Sequence, residues 1–258
     1  MNIIHPTAIV SGKAKLGNNI TVSAYAIIED DVEIAQDTMI GPHTVIYDGA
    51  RIGEQVKIMQ GASVSNIPQD LKYANEESFF YVGDGTVIRE FVTLHRGTAE
   101  TGFSRVGKNC LIMAYAHVAH DVVLGNNCII SNLVQIGGFV TIGDYVVIGG
   151  NTSVHQFSKI GDHAMAGGGL RISKDIPPYV LAGNDPLRYS GLNTVGLRRR
   201  GYSNEDIETL KKAYHLLFES GLNITQAKLK MQEEYKHNNL VQNILKFLDE
   251  SDRGIIRK

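Results

Sequence analysis

The sequence predicts a mainly β chain: a solenoid of short parallel strands followed by a small α-helical C-terminal domain. Three observations carry this. Aliphatic residues recur every six positions, glycine recurs one residue after many of them, and a helical period replaces the six-residue one near Ser203. The aliphatic series runs from Ile4 through Val10 and Leu16 to Val64, resumes at Val82, Ile88 and Leu94, and runs again from Val106 to Ile172. Of its 26 positions, 25 are Ile, Leu or Val. Neither the 3.6-residue period of a helix nor the two-residue period of a plain strand produces such a pattern.

Each hexapeptide reads as one flat side and one corner. The large aliphatic points inward, as does a smaller residue four positions later, such as Ala26, Thr38, Cys110 or Ala116. The glycines, among them Gly17, Gly41, Gly53, Gly107 and Gly125, are expected to supply the unusual backbone angles of the turns. This pattern resembles the hexapeptide-repeat family, which implies a left-handed parallel β-helix with triangular coils. The left hand comes from that resemblance alone and is an exception to the usual crossover rule. Three hexapeptides complete a coil, so residues 18 apart should stack at about 4.8 Å.

Residues 1–178 form the expected solenoid, with His5 and His43 on its surface. The repeat is interrupted twice, so external loops are expected at about 65–80 and 95–105. The first contains Gln69, Asp70, Lys72 and Tyr73, a set able to hydrogen-bond a polar ligand, although a solvated excursion has the same composition. The tandem Pro177-Pro178 cannot continue the ladder. Residues 179–258 are expected to be an irregular linker and then helices near 203–220, 225–236 and 239–251, the first capped by Ser203 with Asp206.

Coil arithmetic is secure between Val106 and Ile172. It puts His120, Gly138 and Gln156 in one column, with Asp121, Phe139 and Phe157 beside it. Cys110 and Cys128 form another column and are expected to be buried free thiols. A histidine beside a carboxylate can act as a general base, and an unencumbered glycine N–H can stabilise an oxyanion. Those are the parts of an acyl transfer to a hydroxyl. A lone histidine on such a face is more often plain surface. His117 and His120 could instead share a metal, as in the γ-class carbonic anhydrases of this fold. Their three-residue spacing and the glutamine above them argue against it.

Bulk properties narrow the classes further. With 25 basic and 27 acidic residues, the formal net charge is −2, which gives no case for nucleic acid or an anionic membrane. No apolar run is long enough to span a bilayer, and the first residues lack the regions of a signal peptide, so a cytoplasmic protein is expected.

Several segments in this order resemble the UDP-N-acetylglucosamine O-acyltransferases. They are Gln69-Asp70-Leu71-Lys72-Tyr73, His95-Arg96-Gly97-Thr98, Ala116-His117-Val118-Ala119-His120-Asp121, His155-Gln156-Phe157, Asp175-Ile176-Pro177-Pro178-Tyr179 and Gly196-Leu197-Arg198-Arg199-Arg200-Gly201. The resemblance spans essentially the whole chain. It implies transfer of an (R)-3-hydroxyacyl group from acyl carrier protein to the sugar 3-hydroxyl of UDP-N-acetylglucosamine, the first step of lipid A synthesis. It implies a homotrimer with sites between subunits and no metal or organic cofactor. His120 matches the general base, Asp121 the residue beside it, and Gly138 the oxyanion donor. Gln69, Asp70, Lys72, His117, His155 and Gln156 match substrate contacts. Gly168 matches the floor of the acyl tunnel, and Asn193, Arg199 and Arg200 match nucleotide-side positions.

The chain departs from some members by carrying Phe139 and Val195 where they have polar groups, and by being shorter near Asp185. Gly168 leaves room for a longer acyl chain. The sibling N-acyltransferase, a metal-dependent hydratase and a non-catalytic β-helix protein are the competing expectations. The sibling commonly carries an extra N-terminal domain, whereas the repeat here begins by Ile4.

Overall fold

A computed structural model describes all 258 residues. Twenty-six short strands between Ile3 and Ile172 wind into three flat faces. The sheets are parallel, and hydrogen-bonded neighbours are every third strand along the chain. Ile129 pairs with Val147 and His117 with Gln135, each 18 residues on. This is the parallel β-helix that the repeat predicts.

The inward residues build a continuous core. Ile40, Ile58, Ile88, Ile112, Ile130 and Ile148 are fully buried on the first face, and the smaller Thr44, Cys128 and Ala164 fill positions between the large aliphatics. Thr44 satisfies its hydroxyl by donating to the carbonyl of Met59 at 3.0 Å. Cys110 and Cys128 are free thiols inside the coil, with the Cys128 Sγ donating to the carbonyl of Gly143 at 3.1 Å.

The corners differ from the expectation for glycine. The residue in the left-handed region lies three positions after the aliphatic and is seldom glycine: Asn19, Tyr25, Asp37, Tyr115, Asp121 and Phe139 all have φ between 56° and 60°. The recurrent glycines have ordinary angles. They are required because adjacent coils nearly touch there. A Cβ on Gly41 would lie 2.8 Å from the Gln60 nitrogen, and one on Gly17 would lie 2.8 Å from the Gln36 nitrogen. Bulky residues in the left-handed region cost about 1–2 kcal/mol each. Stacking between coils offsets part of that cost. Phe139 lies over Phe157 at 4.8 Å, Tyr145 over His163 at 4.8 Å and Phe91 over Tyr115 at 5.2 Å, contacts worth about 0.5–1.5 kcal/mol apiece.

Both loops leave the same corner, between the second and third faces. The first joins Ser63–Asn66 to Phe79–Val82, and the second joins Thr93–His95 to Phe103–Val106. They stretch the register from 18 residues to 30 (Ser63 to Thr93) and then 24 (Thr93 to His117). The strands run slightly past the expected loop boundaries, because Asn66 still pairs with His95.

The solenoid does not stop at the tandem proline. Val180–Gly183 adds a further parallel strand to the first face, beside Met165–Ala166, and turns back antiparallel as Arg188–Leu192. The expected irregular linker is therefore largely a hairpin, followed by the short α1 (Thr194–Arg199). Pro177 lacks an N–H, yet the chain beyond it still finds an open edge to pair with.

Three helices close the structure: α2 (Asn204–Phe218), α3 (Ile224–Glu234) and α4 (Asn239–Glu250). Ser203 and Asp206 form the expected capping box on α2. Tyr214 of α2, fully buried, donates its hydroxyl to the Pro178 carbonyl at 2.5 Å. Asn243 of α4 donates to Asp162 at 3.1 Å and to the Tyr179 hydroxyl at 2.9 Å. The helices thus cover the last coil, which would otherwise present open backbone.

The close approach of coils gives a direct test. Gly41→Ala should destabilise the fold by about 1–3 kcal/mol, the usual cost of overpacking. Gly12→Ala, whose Cβ would meet nothing within 4 Å, should stay within about 1 kcal/mol of wild type. Denaturant unfolding midpoints of the two variants check this.

Candidate active site

The two loops and the His120 column share one corner, and this concentrates chemistry there. His120 is two residues past Val118, on the bend that leaves the second face, and its side chain is 13% exposed. Asp121 follows in the left-handed region at φ 58°, which turns its side chain back under the second loop. The Asp121 carboxylate is fully buried.

Four donors meet that carboxylate. His120 Nδ1 lies 2.7 Å from Oδ2. The Thr98 N–H donates at 3.0 Å and the Thr98 hydroxyl at 2.9 Å. The Thr101 hydroxyl donates as well. Burial alone would raise the carboxyl pKa, but the bonds from His120, Thr101 and Thr98 outweigh it and hold Asp121 below the usual carboxylate value. It is therefore ionised at neutral pH and fixes the Nδ1–H tautomer of His120, leaving Nε2 as the free acceptor.

Gly138 sits one coil above. A Cβ on it would lie 2.7 Å from His120 Cε1 and 2.9 Å from Nε2, so only glycine lets the two coils close around the imidazole. The Gly138 carbonyl accepts from the Phe157 N–H at 3.0 Å, whereas the Gly138 N–H donates to no group of the chain. Phe139 packs edge-on to His120 at 5.3 Å and makes an apolar wall with Phe157. His155 and Gln156 are exposed above, with His155 Nδ1 held by the Gln156 carbonyl at 3.0 Å.

His117 faces outward from the second face. Its Nδ1 is 2.8 Å from the Thr93 hydroxyl, and its ring meets His95 edge-on at 5.0 Å. Burial, then the neighbouring His95 and His120, push the His117 pKa down to about 4. His95 is also lowered, chiefly by burial, and donates from Nδ1 to the Ile67 carbonyl at 2.6 Å. His117 and His120 turn their Nδ1 atoms to different partners, and no group of three His, Cys, Asp or Glu side chains is placed to hold a metal ion.

The first loop brings Gln69, Asp70 and Lys72 to this corner. Gln69 and Lys72 are exposed, and Asp70 shapes the turn by accepting from the Lys72 N–H at 3.0 Å. Glu76 joins the two loops, accepting from the Ala74 N–H at 2.8 Å and the Ala99 N–H at 3.0 Å.

The remaining expected site residues lie elsewhere. Gly168 is on the corner between the first and second faces, stacked on Gly150. Asn193, Arg199 and Arg200 lie towards the corner between the third and first faces. Asn193 is committed within the chain: its Oδ1 caps α1 and its Nδ2 donates to the His163 carbonyl at 2.9 Å. Arg199 is exposed. Arg200 stacks on Tyr145 at 5.1 Å, and its buried Nη1 has no acceptor in the chain. One chain therefore does not bring all the expected residues together.

A groove of about 680 Å³ along this third corner is lined by Lys15, Glu33, Arg51, Tyr81 and Lys108 among others. Lys15 pairs with Glu33, Arg51 with Asp31 and Lys108 with Asp84. Its cations are thus largely engaged, and it lies away from His120. Thr101 and Glu76 are functional candidates that residue patterns missed, and His95 and Thr98 stood only within a segment that carries the family resemblance, with no role of their own. The signal for them was the loop's place in the coil, directly beneath the His120 corner.

The comparisons bear on the fold and the family. Residues 103–138 match the profile described as bacterial transferase hexapeptide, six repeats, which places the chain among the hexapeptide-repeat proteins. Residues 175–256 match the second domain of UDP-N-acetylglucosamine O-acyltransferase. An acyl-[acyl-carrier-protein]–UDP-N-acetylglucosamine O-acyltransferase of Chlorobaculum parvum is 50% identical, covering 98% of this chain and 97% of its own length. One from Syntrophobacter fumaroxidans is 43% identical, covering 98% and 99%. The crystal structure of a UDP-N-acetylglucosamine acyltransferase from Bacteroides fragilis superposes with a TM-score of 0.97 at 43% identity, covering 99% of this chain and 100% of that one. The chain belongs to the acyl-[acyl-carrier-protein]–UDP-N-acetylglucosamine O-acyltransferase family.

Two outcomes follow from the site's geometry. Gly138→Ala should displace the imidazole and lower turnover by about 100-fold or more, with far-ultraviolet circular dichroism unchanged. Wild-type turnover in that variant would contradict the packing of Gly138 on His120. The second concerns pH. The unfolded chain protonates His117 near 6.5, whereas the folded chain resists until about 4. Stability contributed by this group is therefore complete above pH 6.5 and is lost as pH falls towards 4. His117→Asn should flatten that part of the profile, as read by unfolding midpoints between pH 7 and 5.

Proposed function

We propose that the chain transfers an (R)-3-hydroxyacyl group from acyl carrier protein to the 3-hydroxyl of UDP-N-acetylglucosamine, the opening step of lipid A synthesis. Membership of the family supports the reaction. The observation that carries its assignment to this corner is the placement of His120 between a buried, ionised Asp121 and the unpaired N–H of Gly138.

Nε2 of His120 removes the proton of the sugar hydroxyl as its oxygen attacks the thioester carbonyl. Asp121 stabilises the imidazolium that forms, without taking its proton. The Gly138 N–H donates to the oxyanion of the tetrahedral intermediate. Collapse expels the carrier protein's thiolate, which receives the proton back from His120. His117 stays neutral at working pH and adds no charge beside the imidazolium; its Nε2 is available to the sugar or acyl group. Gln69, Asp70 and Lys72 contact the sugar nucleotide, with Lys72 a free cation suited to phosphate. His155 and Gln156 line the acceptor and acyl side, and Phe139 and Phe157 give that side an apolar wall. Gly168 borders the acyl chain.

The working unit is a homotrimer. The expected residues are divided among three corners of one prism, so a complete site needs a second copy. Tyr25, Phe91, Tyr115 and Leu133 form a column of exposed apolar side chains along the corner that carries Gly168, 57%, 47%, 55% and 51% exposed respectively. Closed threefold packing of three prisms buries such a column and brings unlike corners together. There Arg199 and the unpaired Nη1 of Arg200 face the nucleotide, while Asn193 holds α1 in place. No helix is long and apolar enough to cross a membrane, and the two buried free thiols suit a reducing cytoplasm.

Purified protein, UDP-N-acetylglucosamine and a panel of (R)-3-hydroxyacyl carrier proteins test the reading, with products weighed by mass spectrometry. One acyl group should be added, and the preferred donor reports chain length. His120→Ala should lower turnover by about 10²- to 10⁴-fold without unfolding the chain. Lys72→Ala should weaken sugar-nucleotide binding. Turnover by His120→Ala at the wild-type rate would remove His120 as the base, and unchanged affinity in Lys72→Ala would remove the loop from the site.

A further inference from the structure

The second loop adds six residues to a coil that closes without them elsewhere, since Thr93 pairs with His117 at an offset of 24 rather than 18. Its two threonine hydroxyls reach the same buried carboxylate, although Thr101 as a residue is exposed. Thr98 is 8% exposed, and its N–H and hydroxyl both end on the Asp121 carboxylate. The Thr101 hydroxyl ends on Oδ1 of the same carboxylate and keeps it turned towards His120. Oδ2 is shared between the Thr98 hydroxyl and His120 Nδ1. Without these donors, a buried carboxylate would have one partner, the imidazole, and would be free to rotate about its own bonds.

The loop is itself held from outside. Glu76, on the first loop, accepts from the Ala99 N–H between the two threonines and from the Ala74 N–H on its own loop. The first loop carries Gln69, Asp70 and Lys72, so a single carboxylate joins the acceptor-binding segment to the segment that holds Asp121.

We propose that Thr98 and Thr101 are positioning residues for the His120–Asp121 pair, and that Glu76 latches their loop to the acceptor-binding loop. This rests on the acyl-transfer reading for its kinetic consequences, but the positioning itself is a property of the free protein. Thr101 touches no reacting atom. It acts by holding Oδ1, which sets the rotation of the carboxylate and so presents Oδ2 to Nδ1–H, and thereby the tautomer that leaves Nε2 free. Glu76 acts one step further out.

The test combines kinetics with nitrogen chemical shifts of the His120 ring. In wild-type protein, the shifts should report a single Nδ1–H tautomer. Thr101→Val, which keeps the shape and removes the hydroxyl, should give a tautomer mixture. It should lower kcat by about 10- to 100-fold with KM for UDP-N-acetylglucosamine within about twofold of wild type. Thr101→Ser should restore both. Glu76→Ala, which removes this link between the two loops, should lower kcat and raise KM together. A single Nδ1–H tautomer with wild-type kcat in Thr101→Val overturns the proposal. Equal loss of kcat in the Val and Ser variants, with lowered unfolding temperature and an unchanged tautomer, also overturns it by showing a structural role only. If wild-type protein transfers no acyl group, the functional reading fails, and the tautomer measurement still decides the positioning.

Discussion

The hydrogen bonds between successive coils are the constraint on which everything else depends. Each coil lends its carbonyls to the coil before it, as when the Ile129 N–H donates to Val146 and the Thr141 N–H to Ser158. This fixes neighbours to one strand spacing and, away from the two loops, forces each residue to stand above its equivalent 18 positions earlier. A solenoid built this way is nearly one-dimensional, since each coil contacts only the next. Whatever a corner carries is therefore displayed at fixed height and angle. Gly138 meets His120 for that reason, although 17 residues separate them in the chain.

The corners show how this rigidity is reconciled with the chain. Two requirements fall on different residues. Close approach of backbones demands glycine at the position after the aliphatic, as at Gly17 and Gly41. The left-handed bend falls two residues later, and most of its occupants have side chains. Those side chains stack on one another, so a locally costly backbone is coupled to a favourable contact between coils. Asp121 occupies such a bend, and so the geometry that turns the corner also presents its carboxylate to the second loop, which covers it. Function here uses a conformation that the fold already imposes at every corner.

The loops supply what a perfect repeat cannot. A regular prism presents the same kinds of group at every level, mostly exposed and alike. The two insertions at one corner break that equivalence. They bury Asp121, bring Thr98 and Thr101 onto it, and carry Lys72 on the loop that leaves the same corner. Burial is what gives the carboxylate its strength as a partner, because a solvated aspartate at another corner would be screened and mobile. The helical domain has a different task. It covers the last coil and, through Asn193 and Arg200, dresses a corner that the His120 site of the same chain does not reach.

Much of this was legible in the residues alone. A strict period with one register makes position in space a matter of counting, so the strands, the core, the column of His120, Gly138 and Gln156 and the buried thiols all followed from the sequence. Three things did not. The role of the glycines depends on a distance between coils, which no local propensity encodes. The continuation of the first face at Val180–Gly183 depends on an open edge waiting for it, and this outweighs the proline signal just before it. The partners of Asp121 lie 20 and 23 residues away, on a loop outside the repeat, where counting no longer applies. Sequence periodicity determined where side chains stand along a regular ladder. Tertiary structure alone decided what folds over the ladder, because that depends on loop packing and burial rather than on register.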